Sequence, residues 1–134
     1  MEKRFIFLDH TADIKFRAFG ETMNKVIENC VEAIAEYMSD RKIKPIKGKK
    51  IDVKGEDNES LLYNFLDEII YLIDAENFVA SKANVTLRGY NLHAELYGDD
   101  SSKYNLKQIK SATYAEMYIK QKPNGWEAQV VLDV

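Results

Sequence analysis

Alternation of apolar and polar residues most limits what this chain can fold into. In "DIKFRAF", Ile14 and Phe16 fall on one face and charged residues on the other, as in a strand with one solvated face. Two later segments read as hairpins: "ANVTLRGYNLHAELYG", turning near Gly89, and "TYAEMYIKQKPNGWEAQVVLDV", in which Asn124-Gly125 indicates a tight turn. We therefore expect antiparallel strands with one solvated face.

Two other segments carry apolar residues at spacings of three and four, which predicts amphipathic helices. The first is "TMNKVIENCVEAIAEYMSD", with Thr22 as N-cap, and the second is "NESLLYNFLDEIIYLIDAEN", with Asn58 or Asp57 in that role. Two helices packed on one face of a mostly antiparallel β-sheet give an α+β two-layer sandwich. No repeat or linker divides the chain, so residues 1–134 are predicted to form a single domain.

The composition bounds the partners and the compartment. Hydrophobic residues make up 46% and charged residues 31%, with a formal net charge of -3. This balance offers no general attraction to DNA or RNA. Cys30 is the one cysteine, so an internal disulfide is excluded. No segment has the length of a membrane span, and we expect a soluble, cytoplasmic protein without membrane contacts.

The segment "LDHTADI" carries more chemistry than a turn requires. Strand parity places Asp13 and Asp133 on faces turned away from the core, each at a strand end. If those two strands are antiparallel neighbours, both carboxylates and the Val134 carboxylate meet. Such hard oxygens suit Ca²⁺ or Mg²⁺ better than structural zinc. The alternative is two unrelated exposed acids.

Two further residues of this segment are candidates for supporting that site. His10 would hydrogen-bond and so position Asp13 or Asp9, or else it is a turn histidine bonded to the main chain. Asp9 would approach the same site, although a turn separates it from Asp13 and leaves its direction open.

Four segments together resemble the archease family over essentially the whole chain: "LDHTADI", "ESLLYNFLDEIIYLIDAE", "IKSATY" and "VVLDV". This resemblance implies an accessory protein rather than an enzyme. Archeases assist an RtcB-type RNA ligase in tRNA splicing and RNA repair, promoting guanylylation of the ligase and multiple turnover with GTP and Mn²⁺. The resemblance therefore implies that tRNA is reached indirectly, through the ligase.

The resemblance also implies particular site residues. By matching position, a divalent metal ion is held by Asp13, Asp133 and Val134, with Ca²⁺ favoured and Mg²⁺ or Mn²⁺ as alternatives. Lys110 matches the lysine that activates the ligase; read alone, it is a solvated charge in the long connection from Gly98 to Ala112. The family pattern often has histidine where this chain has Ala115, so no role of that histidine is carried over.

Two other functions stay open. The same carboxylates would serve a small metal-dependent hydrolase, although no general base is evident. A tRNA-binding or RNA-modification chaperone would use the basic stretch from Arg41 to Lys50.

Tyr114 and Tyr118 are predicted to share a strand face. Their rings would form a platform on which RNA bases stack, or they would simply pack against side chains of the neighbouring strand.

Overall fold

The computed structural model describes residues 4–9 and 13–134. In chain order, the described residues form β1 (Phe5–Leu8), β2 (Ile14–Gly20), α1 (Met23–Met38), β3 (Lys47–Lys54), α2 (Asn58–Ala75), β4 (Phe78–Arg88), β5 (Asn91–Asp100), β6 (Ser111–Lys122) and β7 (Gly125–Asp133). A short 3₁₀ helix (Ser101–Lys103) lies between β5 and β6.

The strands form two antiparallel sheets. Sheet A has the order β1-β2-β7-β6, and sheet B has the order β3-β5-β4. Each helix packs against strands of both sheets, and nearly all the buried apolar side chains of the described residues form one core cluster. The predicted α+β class with antiparallel pairing is confirmed, and the strands are divided between the two sheets.

The helix starts follow the predicted capping chemistry. The Thr22 hydroxyl accepts a hydrogen bond from the Lys25 N–H, and the Asp57 carboxylate accepts one from the Ser60 N–H. Of the two candidates for the second cap, the structure therefore selects Asp57. In the part of the chain that the structure describes, no helix is long and apolar enough to cross a membrane.

Side chains of helix α1 hydrogen-bond the main chain of β4, which is an edge strand of sheet B. The Val85 N–H donates to the buried Glu28 carboxylate, and the Val85 carbonyl accepts from the Asn24 side-chain amide, both at 2.8 Å. At Val85 these bonds replace those that a further strand would make, so the main chain of the edge strand is satisfied at this residue. They also fix how α1 lies across the two sheets.

A buried carboxylate fastens the connection between β5 and β6. Asp99 is 1% exposed and accepts hydrogen bonds from the Tyr104 hydroxyl (2.7 Å) and the Asp100 N–H (2.8 Å). The Tyr104 hydroxyl in turn accepts from the Lys44 N–H (3.0 Å). Hydrogen bonding by Tyr104 is the largest influence on Asp99, and it lowers the pKa of that carboxyl against the opposing effect of burial.

We expect Tyr104→Phe to reduce the free energy of unfolding at neutral pH. A lowered pKa in the folded state adds stability above the ordinary aspartate pKa of about 3.9, and this stability is lost as the pH falls through the folded-state value. The difference from the unchanged protein should therefore shrink on acidification. Urea denaturation over a pH series measures it, with the exposed turn residue Tyr90→Phe as control. A difference independent of pH would contradict the assignment.

Candidate metal centre

The centre of sheet A brings the two predicted metal-binding aspartates together. Strands β2 and β7 are antiparallel neighbours, with Ile14 paired to Leu132. Continuing this register by one residue places Asp13 opposite Asp133. The strand adjacency on which the sequence argument depended is thus confirmed. Both aspartates are half-buried.

Lys110 lies at the same end of sheet A. Its main-chain N–H donates to the Asp133 carbonyl at 2.8 Å, and the next residue, Ser111, pairs with Asp133 in the β6–β7 ladder. The Lys110 side chain is exposed. The long connection therefore delivers this lysine beside Asp133, and not to an isolated loop.

Val134 follows β7 directly and is held at this end by packing. Its half-buried side chain contacts the core cluster, and its neighbour Asp133 is bonded through the main chain to Lys110. The position of Val134 is therefore set by its side-chain packing and by the main-chain bond of its neighbour.

Of the two residues predicted to support the site, Asp9 and His10, the structure describes only Asp9. Asp9 is exposed and follows Leu8, which pairs with Lys15 in the β1–β2 ladder. It therefore lies at the sheet end that carries Asp13. His10 lies outside the described residues, and its hydrogen-bonding role stays a prediction.

The donor set can be tested against the chemistry of the predicted metal. Within residues 4–9 and 13–134, no three His, Cys, Asp or Glu side chains come close enough to hold a metal ion. Among the described residues, the structure therefore brings two candidate side-chain ligands, Asp13 and Asp133, to one sheet end, and coordination by the Val134 carboxylate stays a prediction. Carboxylate oxygens without thiolate or imidazole fit a hard divalent cation such as Ca²⁺, Mg²⁺ or Mn²⁺.

An irregular segment of β6 folds over the outer face of sheet A near this end. The β6–β7 register shifts between Thr113 and Tyr118, and Glu116 takes a left-handed φ of 53°. Gln129 ties this bulge down: its amide nitrogen donates to the Glu116 carbonyl (2.8 Å), and its amide oxygen accepts from Arg17 (2.9 Å). Left-handed non-glycine residues cost free energy and persist where surrounding contacts impose them.

The bulge corrects two expectations from strand parity. Val131 and Gln129 alternate with Asp133 on the face of β7 that parity predicts to be solvated, yet Val131 is fully buried and Gln129 is 5% exposed, because the bulge covers them. Tyr114 and Tyr118 do not act as a pair, since the bulge separates them. Tyr114 stacks on Tyr63 of α2, with ring centroids 4.2 Å apart.

Tyr118 forms its side-chain hydrogen bond within sheet A, to the neighbouring strand β7. The Tyr118 hydroxyl donates to the Glu127 carboxylate. Burial, followed by the neighbouring Glu127 carboxylate, raises the pKa of Tyr118 to about 12. Tyr118 is therefore a neutral hydrogen-bond donor at physiological pH.

Sequence parity places Lys15 on the strand face of Asp13, but it missed the ion pair that this lysine makes. Lys15 shares a strand face with Asp13, its side chain is only 16% exposed, and its ammonium lies 2.9 Å from the Glu116 carboxylate. The partner could not be found from the sequence, since "TYAEMYIK" alternates like a regular strand and carries no sign of the bulge.

Comparison with known proteins agrees with this architecture. Residues 5–134 match the Archease protein family (MTH1598/TM1083). The chain belongs to the archease family. Among its relatives, the protein archease of Methanosarcina barkeri is 37% identical, over 98% of this chain and 97% of that protein. The Pyrococcus abyssi protein archease is 36% identical, over 98% and 99%.

Solved structures show the same fold. The solution structure of Methanobacterium thermoautotrophicum protein 1598 is 28% identical and gives a TM-score of 0.80, over 98% of this chain and 99% of that one. A Thermotoga maritima crystal structure, described as an archease and possible chaperone, is 18% identical with a TM-score of 0.69, over 100% and 98%. At that identity the second likeness shows the fold alone.

The family departure at Ala115 falls within the bulge. Ala115 is exposed, and its N–H donates to the Thr113 hydroxyl at 3.3 Å.

We expect Gln129→Ala to lower the free energy of unfolding by about 1–3 kcal/mol, because the Glu116 carbonyl and the Arg17 guanidinium both lose their bonded partner. The matched control is Gln121→Ala on the exposed part of β6, which should stay within about 0.5 kcal/mol. Equilibrium urea denaturation measures both. Equal effects of the two substitutions would mean that Gln129 does not hold the bulge.

Proposed function

We propose that this chain is a non-enzymatic activator of an RtcB-type RNA ligase, one that promotes ligase guanylylation and multiple turnover in tRNA splicing and RNA repair. Membership of the archease family supports the proposal. The observation that carries it is the meeting of Asp13, Asp133 and Lys110 at one end of sheet A, with Val134 beside them.

The metal part of the proposal assigns each ligand to a separate element. Asp13 enters β2, Asp133 ends β7, and the Val134 carboxylate follows. When bound, a divalent cation would neutralise these carboxylates and hold the two strand ends together. The site therefore couples cation binding to the geometry of the surface that carries Lys110.

Lys110 supplies the group that would reach the partner. Its main chain is fixed on Asp133 while its side chain is exposed. An ammonium held in this way suits a phosphate or a carboxylate on the ligase. Two mechanisms are compatible: the metal and Lys110 order the nucleotide-bound state of the ligase, or the carboxylates transiently hold a metal that the ligase needs.

We expect Asp133→Asn, and separately a chain extended by a few residues after Val134, to bind Ca²⁺, Mg²⁺ and Mn²⁺ at least about tenfold more weakly. Removing a residue that only hydrogen-bonds to a metal ligand already weakens metal affinity by about tenfold or more, so removing a ligand should cost at least as much. Isothermal titration calorimetry measures the affinities. The control is Asp67→Asn, an exposed acid of α2.

The two variants separate the ligands. Unchanged metal affinity of the extended chain would mean that the Val134 carboxylate is not a ligand. Unchanged metal affinity of Asp133→Asn would contradict the proposed site as a whole.

We expect Lys110→Ala to retain metal binding but to lose stimulation of ligase guanylylation. The measurement is transfer of labelled GTP to an RtcB-type ligase with and without this protein. Lys107→Ala is the matched control from the same connection, since its main-chain bond to the Met38 carbonyl is kept. Stimulation that persists in Lys110→Ala and disappears only with metal-site variants would favour metal delivery over contact by this lysine.

A further inference from the structure

The outer face of sheet B is a second surface with its own chemistry. The inward side chains of its strands, such as Ile51, Val85 and Leu92, are buried in the core. The alternate residues form cross-strand rows on the opposite face, where Lys50, Lys54 and Arg88 are exposed and His93 and Tyr97 are half-buried. The row nearest the β4–β5 turn is Lys54–Asn91–Arg88, and the next is Asp52–His93–Thr86. Lys50–Glu95–Asn84 and Gly48–Tyr97–Lys82 follow.

This face is positively charged although the chain is not. It presents Lys50, Lys54, Lys82 and Arg88 against the carboxylates Asp52 and Glu95, an excess of two positive charges, whereas the chain carries -3. Among the described residues, Lys50, Lys54 and Arg88 form no salt bridge. Their charges are therefore available to an anionic partner.

The central strand adds two rings to the same face. His93 and Tyr97 lie on β5 with one residue of the same face between them. The His93 Nδ1 lies 2.8 Å from the Asp52 carboxylate, which orients the imidazole. The Lys82 ammonium lies 5.6 Å from the centre of the Tyr97 ring. A planar group that stacks on Tyr97 would thus sit beside a cation.

The two rows nearest the turn enclose a hollow of about 450 Å³, lined among others by Lys54, Thr86, Arg88, Asn91 and His93. It combines two cations with one carboxylate, Asp52, which is bonded to His93, and with a hydroxyl and a carboxamide that can hydrogen-bond phosphate and ribose oxygens. The exposed Tyr90 lies at the same end of the sheet.

We propose that the outer face of sheet B binds single-stranded RNA. Phosphates would contact Lys54 and Arg88 at the hollow and Lys50 and Lys82 farther along, while bases stack on Tyr97 and His93. Single strands fit because their unstacked bases are free to lie on rings of a solvated sheet, whereas a duplex hides its base faces. This inference depends neither on the metal site nor on a ligase.

The test measures fluorescence anisotropy of a labelled single-stranded RNA of about 12 nucleotides, within the usual site sizes, with the full chain alone. We expect Lys54→Gln combined with Arg88→Gln to weaken binding and to make the slope of log affinity against log salt shallower by about 1.4, since each lost phosphate contact contributes about 0.7. The control, Lys107→Gln combined with Lys120→Gln, loses the same two positive charges as the test variant, and its RNA affinity should equal that of the unchanged chain.

A second substitution tests stacking. Tyr97→Ala should weaken binding by about fivefold or more without changing the salt slope, and Tyr97→Phe, which keeps the ring, should restore the affinity. Thermal unfolding of every variant verifies that the fold is kept.

Three results would overturn the proposal. One is an equal loss in the test pair and the control pair, and another is equally strong competition by a duplex RNA. The third is unchanged RNA affinity together with lost ligase stimulation in the Lys54 and Arg88 variant, which would make this face a protein-docking surface. Because the binding test omits the ligase, its failure is distinguishable from failure of the proposed activator role.

Discussion

The register between β2 and β7 is the constraint on which both the core and the candidate site depend. It pairs Phe16 with Val130 and Ala18 with Ala128, all fully buried, and its continuation sets Asp13 opposite Asp133. Side chains alternate with a period of two, so a slip by one residue would expose the apolar set and separate the aspartates. Burial of the core therefore fixes the strand register that sets the two aspartates opposite each other.

Features encoded locally were predictable from the sequence. Thr22 caps its helix through its own hydroxyl, and Gly125 takes the positive φ of 132° that its turn requires. The ends of β2 and β7 could be placed by parity, but their adjacency could not, because strand pairing over more than a hundred residues leaves no local signal. Division of the strands between two sheets was unreadable for the same reason.

The bulge in β6 shows where parity reasoning stops. Nothing in "TYAEMYIK" forbids a regular strand, and glutamate is not a residue that favours a left-handed conformation. The conformation of Glu116 is imposed from outside, by Gln129 of the neighbouring strand and by its ion pair with Lys15. The result is a face of β7 that is polar in sequence and buried in the fold.

Net charge averages over surfaces that the fold keeps apart. Residues 56–76 hold seven acids and no Lys or Arg, and α2, which carries most of them, packs against β3 and β4 on the inner side of sheet B. The cations Lys50, Lys54, Lys82 and Arg88 occupy the outer side of the same sheet. A chain of charge -3 thus carries a group of acids on one side of this sheet and a group of cations on the other, and charge of each sign can steer partners of the opposite sign. The pleat that buries Ile51 and Val85 is what sorts these charges, so the polarity of the molecule is a consequence of strand parity and not of composition.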